Sequence, residues 1–167
     1  MTTLKKLLTL SLLLLLTACS QTKPSAQKDV ISLKLNQKIP KSAIIQKNQS
    51  YLTTSGAMEQ MYVFKENNNT FELMTNKKNC ITFIKSTDNI FSSPYGIKEG
   101  DTLAKVKKVS KEEPDYMPGW GYYVPLSHNW FAGFGNDKSI LVNGKVSLDS
   151  KVKLLFKSIY HSKGDIE

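Results

Sequence analysis

Residues 61–85 read MYVFKENNNTFELMTNKKNCITFIK, and this stretch decides the fold class. Met61–Glu66 and Phe71–Thr75 are short runs carrying Tyr, Val, Phe and Thr, and Asn67-Asn68-Asn69 between them can take left-handed backbone conformations. Cys80–Lys85 follows after Asn76-Lys77-Lys78-Asn79. The pattern predicts a meander of three antiparallel strands. Toward the N-terminus, Ile31, Leu33 and Leu35 alternate with Ser32 and Lys34, which predicts a further strand. Ser42–Ile45, just after Pro40, reads as a short helical turn. Toward the C-terminus, Leu103, Val106 and Val109 recur at every third position behind Asp101 or Thr102, either of which can cap a helix. Lys105, Lys107 and Lys108 fill its other side, where they suit the negative end of the helix dipole, and Pro114 closes the segment. Tyr122–Leu126 and Asn129–Gly135 predict a hairpin around Ser127-His128, and Lys151–Ser158 predicts a last, partly exposed strand. Strands dominate and the clear helix is isolated. The class is therefore α+β, an antiparallel β-sheet with one or two short helices packed on one face.

The chain has 167 residues, enough for one domain, and its 40% hydrophobic and 22% charged content is that of a globular protein. All 23 basic residues are Lys; against 14 acids they give a net charge of +9. Nucleic-acid recognition draws on Arg forks and clustered basic patches, so nucleic acid is not an expected partner. Lys spread along a chain reads as a solvated surface that attracts anionic envelope components, such as lipid headgroups, through general electrostatics.

The front of the chain is set apart from the fold. Lys5 and Lys6 precede Leu7–Leu16, an aliphatic run broken only by Thr9 and Ser11. Ten helical residues rise about 15 Å, half of a ~30 Å hydrocarbon core, so the run reads as a signal peptide over 1–18 and not as a membrane span. Residues 19–28 are polar and read as a tether, 29–160 as a single globular domain, and 161–167 as a frayed tail.

Leu16-Thr17-Ala18-Cys19 resembles the lipobox of bacterial lipoproteins, in which a Leu, two small residues and a Cys end the signal peptide. The resemblance implies that Cys19 takes a diacylglyceryl group, becomes the first residue after cleavage and is then acylated on its new amine. Several acyl chains make anchoring effectively permanent, whereas one gives only marginal binding. Residue 20 is Ser and not Asp, which by the same resemblance favours the outer membrane, facing the periplasm. In an organism with a single membrane, the address becomes that membrane's outer face. Loss of Lys5 and Lys6 leaves the mature chain at +7. Cys80 is then the only thiol, so no intrachain disulfide can form, and its strand-like setting predicts a buried small hydrophobe.

Residues 81–109 carry a second resemblance. A strand, a turn at Ser92-Ser93-Pro94 and then Gly96-Ile97-x-x-Gly100-Asp101-Thr102-Leu103-x-x-Val106 are similar to the helix start in the small lipoprotein of the outer-membrane barrel-assembly machinery and in proteinaceous β-lactamase inhibitors. Those families pack helices on one face of an antiparallel sheet. The second helix start that such folds carry has no Gly here, at Leu35–Pro40.

Trp120, Tyr122, Tyr123 and Trp130 fall within eleven residues and are the candidate partner-contacting residues. Alternation sends Trp120, Tyr122 and Val124 to one side and Tyr123 to the other, while Trp130, Ala132 and Phe134 share a side. One face of this hairpin can be domain core held by cross-strand aromatic pairs. The other can form a strip that docks a protein or a glycan. Candidates for chemistry are few. His128 sits in a turn and His161 in the tail, Glu112, Glu113 and Asp115 crowd a loop before and after Pro114, and no nucleophile elbow, zinc-protease motif or phosphate loop occurs. The expectation is a non-enzymatic, lipid-anchored envelope module without cofactor or metal, held to the membrane through Cys19, that binds an envelope protein as an accessory or assembly factor. The alternatives are an inhibitor or immunity protein against a wall-active enzyme or toxin, and a peptidoglycan-binding module.

The lipobox yields a direct prediction. The native product has the intact mass of a chain beginning at an acylated Cys19, and Cys19→Ser moves the protein from the detergent phase to the aqueous phase. An unmodified Cys19 would refute it.

Overall fold

The computed structural model describes residues 31–52 and 58–160. The signal peptide, Cys19, the tether and the tail expected above lie outside the described residues. The strands are β1 (Ile44–Leu52), β2 (Met58–Glu66), β3 (Asn69–Thr75), β4 (Ile81–Ser86), β5 (Asp115–Met117), β6 (Gly121–Pro125), β7 (Trp130–Gly135), β8 (Leu141–Val142), β9 (Lys145–Val146) and β10 (Leu154–Ser158). The helix α1 spans Leu103–Val109, and Lys138–Ile140 make a 3₁₀ turn. Eight strands form one open antiparallel sheet in the order β1-β2-β3-β4-β10-β7-β6-β5, and β8 and β9 form a small separate hairpin.

The expected meander is present. Phe64 pairs with Phe71 across β2 and β3, and Leu73 pairs with Ile84 across β3 and β4. The strand expected at Ile31–Leu35 is absent. Residues 31–43 run as irregular chain across the sheet, burying Ile31 and Leu33 in its core. Alternation there reports a half-buried extended segment that finds no strand partner. Ser42–Ile45 is no helical turn either, because Ile44 opens β1, whose β-branched Ile44 and Ile45 suit a strand. β10 departs further from expectation. It lies in the centre of the sheet, paired with β4 through Phe156–Lys85 and with β7 through Phe156–Phe131. Central strands are covered on both faces, which is why Leu155 and Lys157 are buried along with Phe156.

One face carries the main core. Phe71, Leu73, Ile84, Trp130, Ala132, Phe134 and Leu155 point into it, roofed by Ile31, Leu33, Phe91, Ile97 and α1. Thr102 caps α1, its hydroxyl accepting from the Lys105 N–H at 3.3 Å, and Ser110 ends it. The Ser110 hydroxyl donates to the Pro125 carbonyl at 2.7 Å and fastens the helix to β6. Leu103 and Val106 are buried, whereas Val109, the third member of the apolar set, is 40% exposed.

The opposite face carries an aromatic row. Phe83, Phe156 and Phe131 stack across β4, β10 and β7 with centroids 5.6 and 5.2 Å apart, and Tyr123 meets Phe131 edge-on at 5.7 Å. Trp120, in the turn before β6, lies 4.9 Å from Phe83 on β4, three strands away. Those strands are about 14 Å apart in a sheet, and the turn lays the indole back across the row, where it also lies 6.1 Å from Phe156 on β10. The Glu59 carboxylate on β2 accepts from the Thr82 hydroxyl on β4 and from the Tyr160 hydroxyl beyond β10.

Both edges resist pairing with other chains. β5 has three residues between Pro114 and Pro118. In β1 the register breaks between Ile45 and Ser50, so residues 46–49 oppose Met61 alone. Short strands, prolines and bulges are the ordinary devices for blunting a sheet edge.

Gly121 carries the sharp bend into β6. Its φ is +86°, and a Cβ there would lie 2.2 Å from the Gly135 carbonyl carbon. Gly121→Ala is expected to cost about 3 kcal/mol or more, from left-handed strain plus overpacking. Gly119→Ala, at φ +83° with open space around it, is expected to cost about 1 kcal/mol. Urea denaturation midpoints check the pair, and equal losses would contradict this geometry.

Candidate functional site

The candidate aromatic residues divide between core and surface. Trp130 is fully buried in the main core, 5.0 Å from Phe91. The Lys157 ammonium lies 5.1 Å from the centre of its ring, and Lys157 itself is 4% exposed. A desolvated cation over an indole face gains roughly 2 kcal/mol. Trp130 therefore presents no ring to a partner in the folded state. Tyr123 is buried as well, with its hydroxyl donating to Asp115 at 3.2 Å. Burial first, and then the Asp115 carboxylate, push its phenol up to about 12.

Tyr122 and Trp120 are half-buried. Simple alternation puts them on one side, and the structure separates them. Tyr122 packs against the main core and Trp120 against the aromatic row. The cause is local: Trp120 lies in the turn before β6, outside the strand's alternation, and the positive φ of Gly121 turns the chain between it and Tyr122. Tyr122 meets Tyr116 at 4.9 Å, and Tyr116 is 49% exposed. Tyr116 was not among the sequence candidates. Its signal was a Tyr directly after Asp115 in a loop read only for its acids. The accessible aromatic surface is thus the Tyr116–Tyr122 pair at the β5–β6 edge, with the outer part of Trp120 nearby in sequence.

The other polar candidates are engaged in structure. Lys107 bridges Glu113 at 2.5 Å and donates to the Glu112 carbonyl at 3.0 Å. The Lys107 ammonium holds the Glu113 carboxyl below the usual carboxylate range. Asp115 accepts from Tyr123, so the three acids serve different contacts. His128 is exposed in a tight turn with Asn129, both at positive φ, and its ring nitrogen pairs with the Ser127 hydroxyl at 3.2 Å. Cys80 is half-buried, where a buried thiol was expected. It stands just before β4, bridged to Lys38, and donates weakly to the Lys78 carbonyl at 3.8 Å. Sequence reading missed the Glu59–Thr82–Tyr160 group, because its members lie up to 101 residues apart and nothing local marks them. Among the described residues no group of three His, Cys, Asp or Glu could hold a metal ion, and no helix is long and apolar enough to cross a membrane.

Set against protein-family models, curated proteins and solved structures, the chain matches none of them.

Tyr123 gives a pH signature. Its folded pKa is above the unfolded value of 10.0, so between pH 10 and about 12 the unfolded chain loses a proton that the fold retains. Its contribution to stability is complete below pH 10 and fades as pH rises through that window. Ultraviolet titration should show one phenol ionising near the top of the window, and Tyr123→Phe should remove that step. Titration of all seven tyrosines near 10 would contradict the assignment.

Proposed function

We propose that this chain is a lipid-anchored, non-enzymatic lipoprotein of the bacterial cell envelope that binds protein as an accessory or assembly module. The observation that carries the reading is Leu16-Thr17-Ala18-Cys19, followed by a polar tether. Acylated Cys19 holds the domain at the outer membrane, facing the periplasm, or at the outer face of a single membrane. The distribution of polar groups supports a binder over a catalyst. The carboxylates of Glu113 and Asp115 are tied to Lys107 and Tyr123, Glu112 is exposed, and His128 is exposed in a turn beside Ser127. The surface aromatic pair Tyr116–Tyr122 supplies rigid contact area with polar tips, the kind of group enriched at protein interfaces.

The test places a photo-crosslinking amino acid at position 116 or 122 in cells producing the full chain. One reproducible envelope protein should be captured at both positions, and Tyr116→Ala should lower its co-purification at least fivefold, the scale of a 1 kcal/mol contact. Absence of protein adducts, with sedimentation on purified peptidoglycan, would replace this reading with glycan binding. Capture of a lysozyme-like enzyme whose activity falls on binding would replace it with inhibition.

A further inference from the structure

Lysines gather where the first described segment crosses the β3–β4 turn: Lys38 is tied to Lys78 there, Lys77 adjoins them in the turn, and Lys34 and Lys41 flank Lys38 along its segment, which takes one carboxylate, that of Glu66, at the Ser32 N–H. Lys34, Lys38 and Lys41 rise from residues 31–43, and Lys77 and Lys78 from the turn; all five are exposed. The two segments are bonded as a unit. The Asn36 N–H donates to the Ile81 carbonyl at 2.8 Å, the Ile81 N–H to the Gln37 carbonyl at 2.8 Å, and the Ile39 N–H to the Asn79 carbonyl at 3.0 Å. Asn76 closes the turn, its carboxamide accepting from the Lys78 and Cys80 N–H groups. The Lys38 ammonium donates to the Lys78 carbonyl, which draws two lysines together. Neither segment, 31–43 or 75–82, contains an Asp or Glu. The three ion pairs among the described residues, Lys85–Glu72, Lys105–Asp101 and Lys107–Glu113, involve none of the five lysines. Elsewhere lysines alternate with acids, as along 98–115; here like charges are gathered on a fixed frame.

We propose that this lysine cluster seats the domain on a bilayer surface rich in anionic lipid headgroups. The inference rests on the lipid-anchor reading of Cys19. The link from Cys19 to Ile31 can extend to about 40 Å at most. The segment carrying Lys34, Lys38 and Lys41 is the part of the described fold nearest to Cys19 in sequence. Basic residues next to an anchor bind anionic headgroups through screened attraction.

Cys80 supplies the reporter, because it lies opposite Lys38 and is the one thiol left once Cys19 is acylated. The full lipidated protein, labelled at Cys80 with a polarity-sensitive dye, is reconstituted into phosphatidylcholine vesicles with or without phosphatidylglycerol. Flotation with pure phosphatidylcholine tests the anchor alone, and failure there overturns the anchor reading. With the anchor intact, anionic vesicles should blue-shift the dye and shield it from acrylamide, and molar salt should reverse both effects. Each Lys→Gln change among Lys38, Lys77 and Lys78 should weaken the shielded state roughly fivefold, while Lys138→Gln should leave it unchanged. Equal dye signals in neutral and anionic vesicles would overturn the proposal. So would the same shift induced by inorganic phosphate in detergent, which would assign the cluster to a free anion.

Discussion

The sheet depends on β10. The strands from Ile44 to Ser86 and those from Asp115 to Gly135 form two meanders that share no direct pairing. Leu154–Ser158 joins them, hydrogen-bonding to β4 on one side and β7 on the other. Phe156 is the central residue of that join. It faces Lys85 and Phe131 across the two ladders, and its ring stacks on both Phe83 and Phe131. Each meander is built from local hairpins that can form early. Their union waits for a strand near the end of the described chain, so the closing contacts are the ones most distant in sequence.

Wedging a strand into the middle requires cover on both faces, and the sequence supplies it asymmetrically. The main-core face receives α1, the irregular segment over 31–43 and the loop carrying Phe91 and Ile97. The aromatic face has no helix over it among the described residues. It is filled by its own aromatic row and by Trp120, which the bend at Gly121 swings over Phe83 and Phe156. Aromatic side chains that look like a docking strip are thus largely spent on closing the sheet. What is left outside is the Tyr116–Tyr122 pair at one edge and the lysine cluster beside the β3–β4 turn.

Much of this was legible from residues. The 61–85 meander, the 121–135 hairpin and the capped helix behind Thr102 follow from local signals: asparagine turns, alternating apolar runs and a hydroxyl three residues before a backbone donor. Three features were not. The central place of β10 is a matter of long-range pairing, and Lys157 disguises it, since a Lys is expected on a wet face and here lies over the Trp130 ring. β1 is hidden because Ser42–Ile45 after Pro40 suggests a helical turn and Gln46–Ser50 lacks the apolar alternation of a strand. Trp120 and Tyr122 take opposite sides because the strand begins only at Gly121, whose positive φ no count of alternate positions detects. Of the site, the lipobox lies wholly in the sequence, whereas Tyr116 and the lysine cluster needed the fold to bring their parts together.

The joining role of β10 is the claim on which the rest of the molecule turns, and hydrogen exchange read by mass spectrometry measures it directly. If β10 holds both meanders in one cooperative unit, the amides of β4, β10 and β7 exchange together, at a single rate set by global unfolding. If β6, β7 and β10 exchanged fast while β2–β4 stayed protected, the two meanders would be separate units and the account would be wrong.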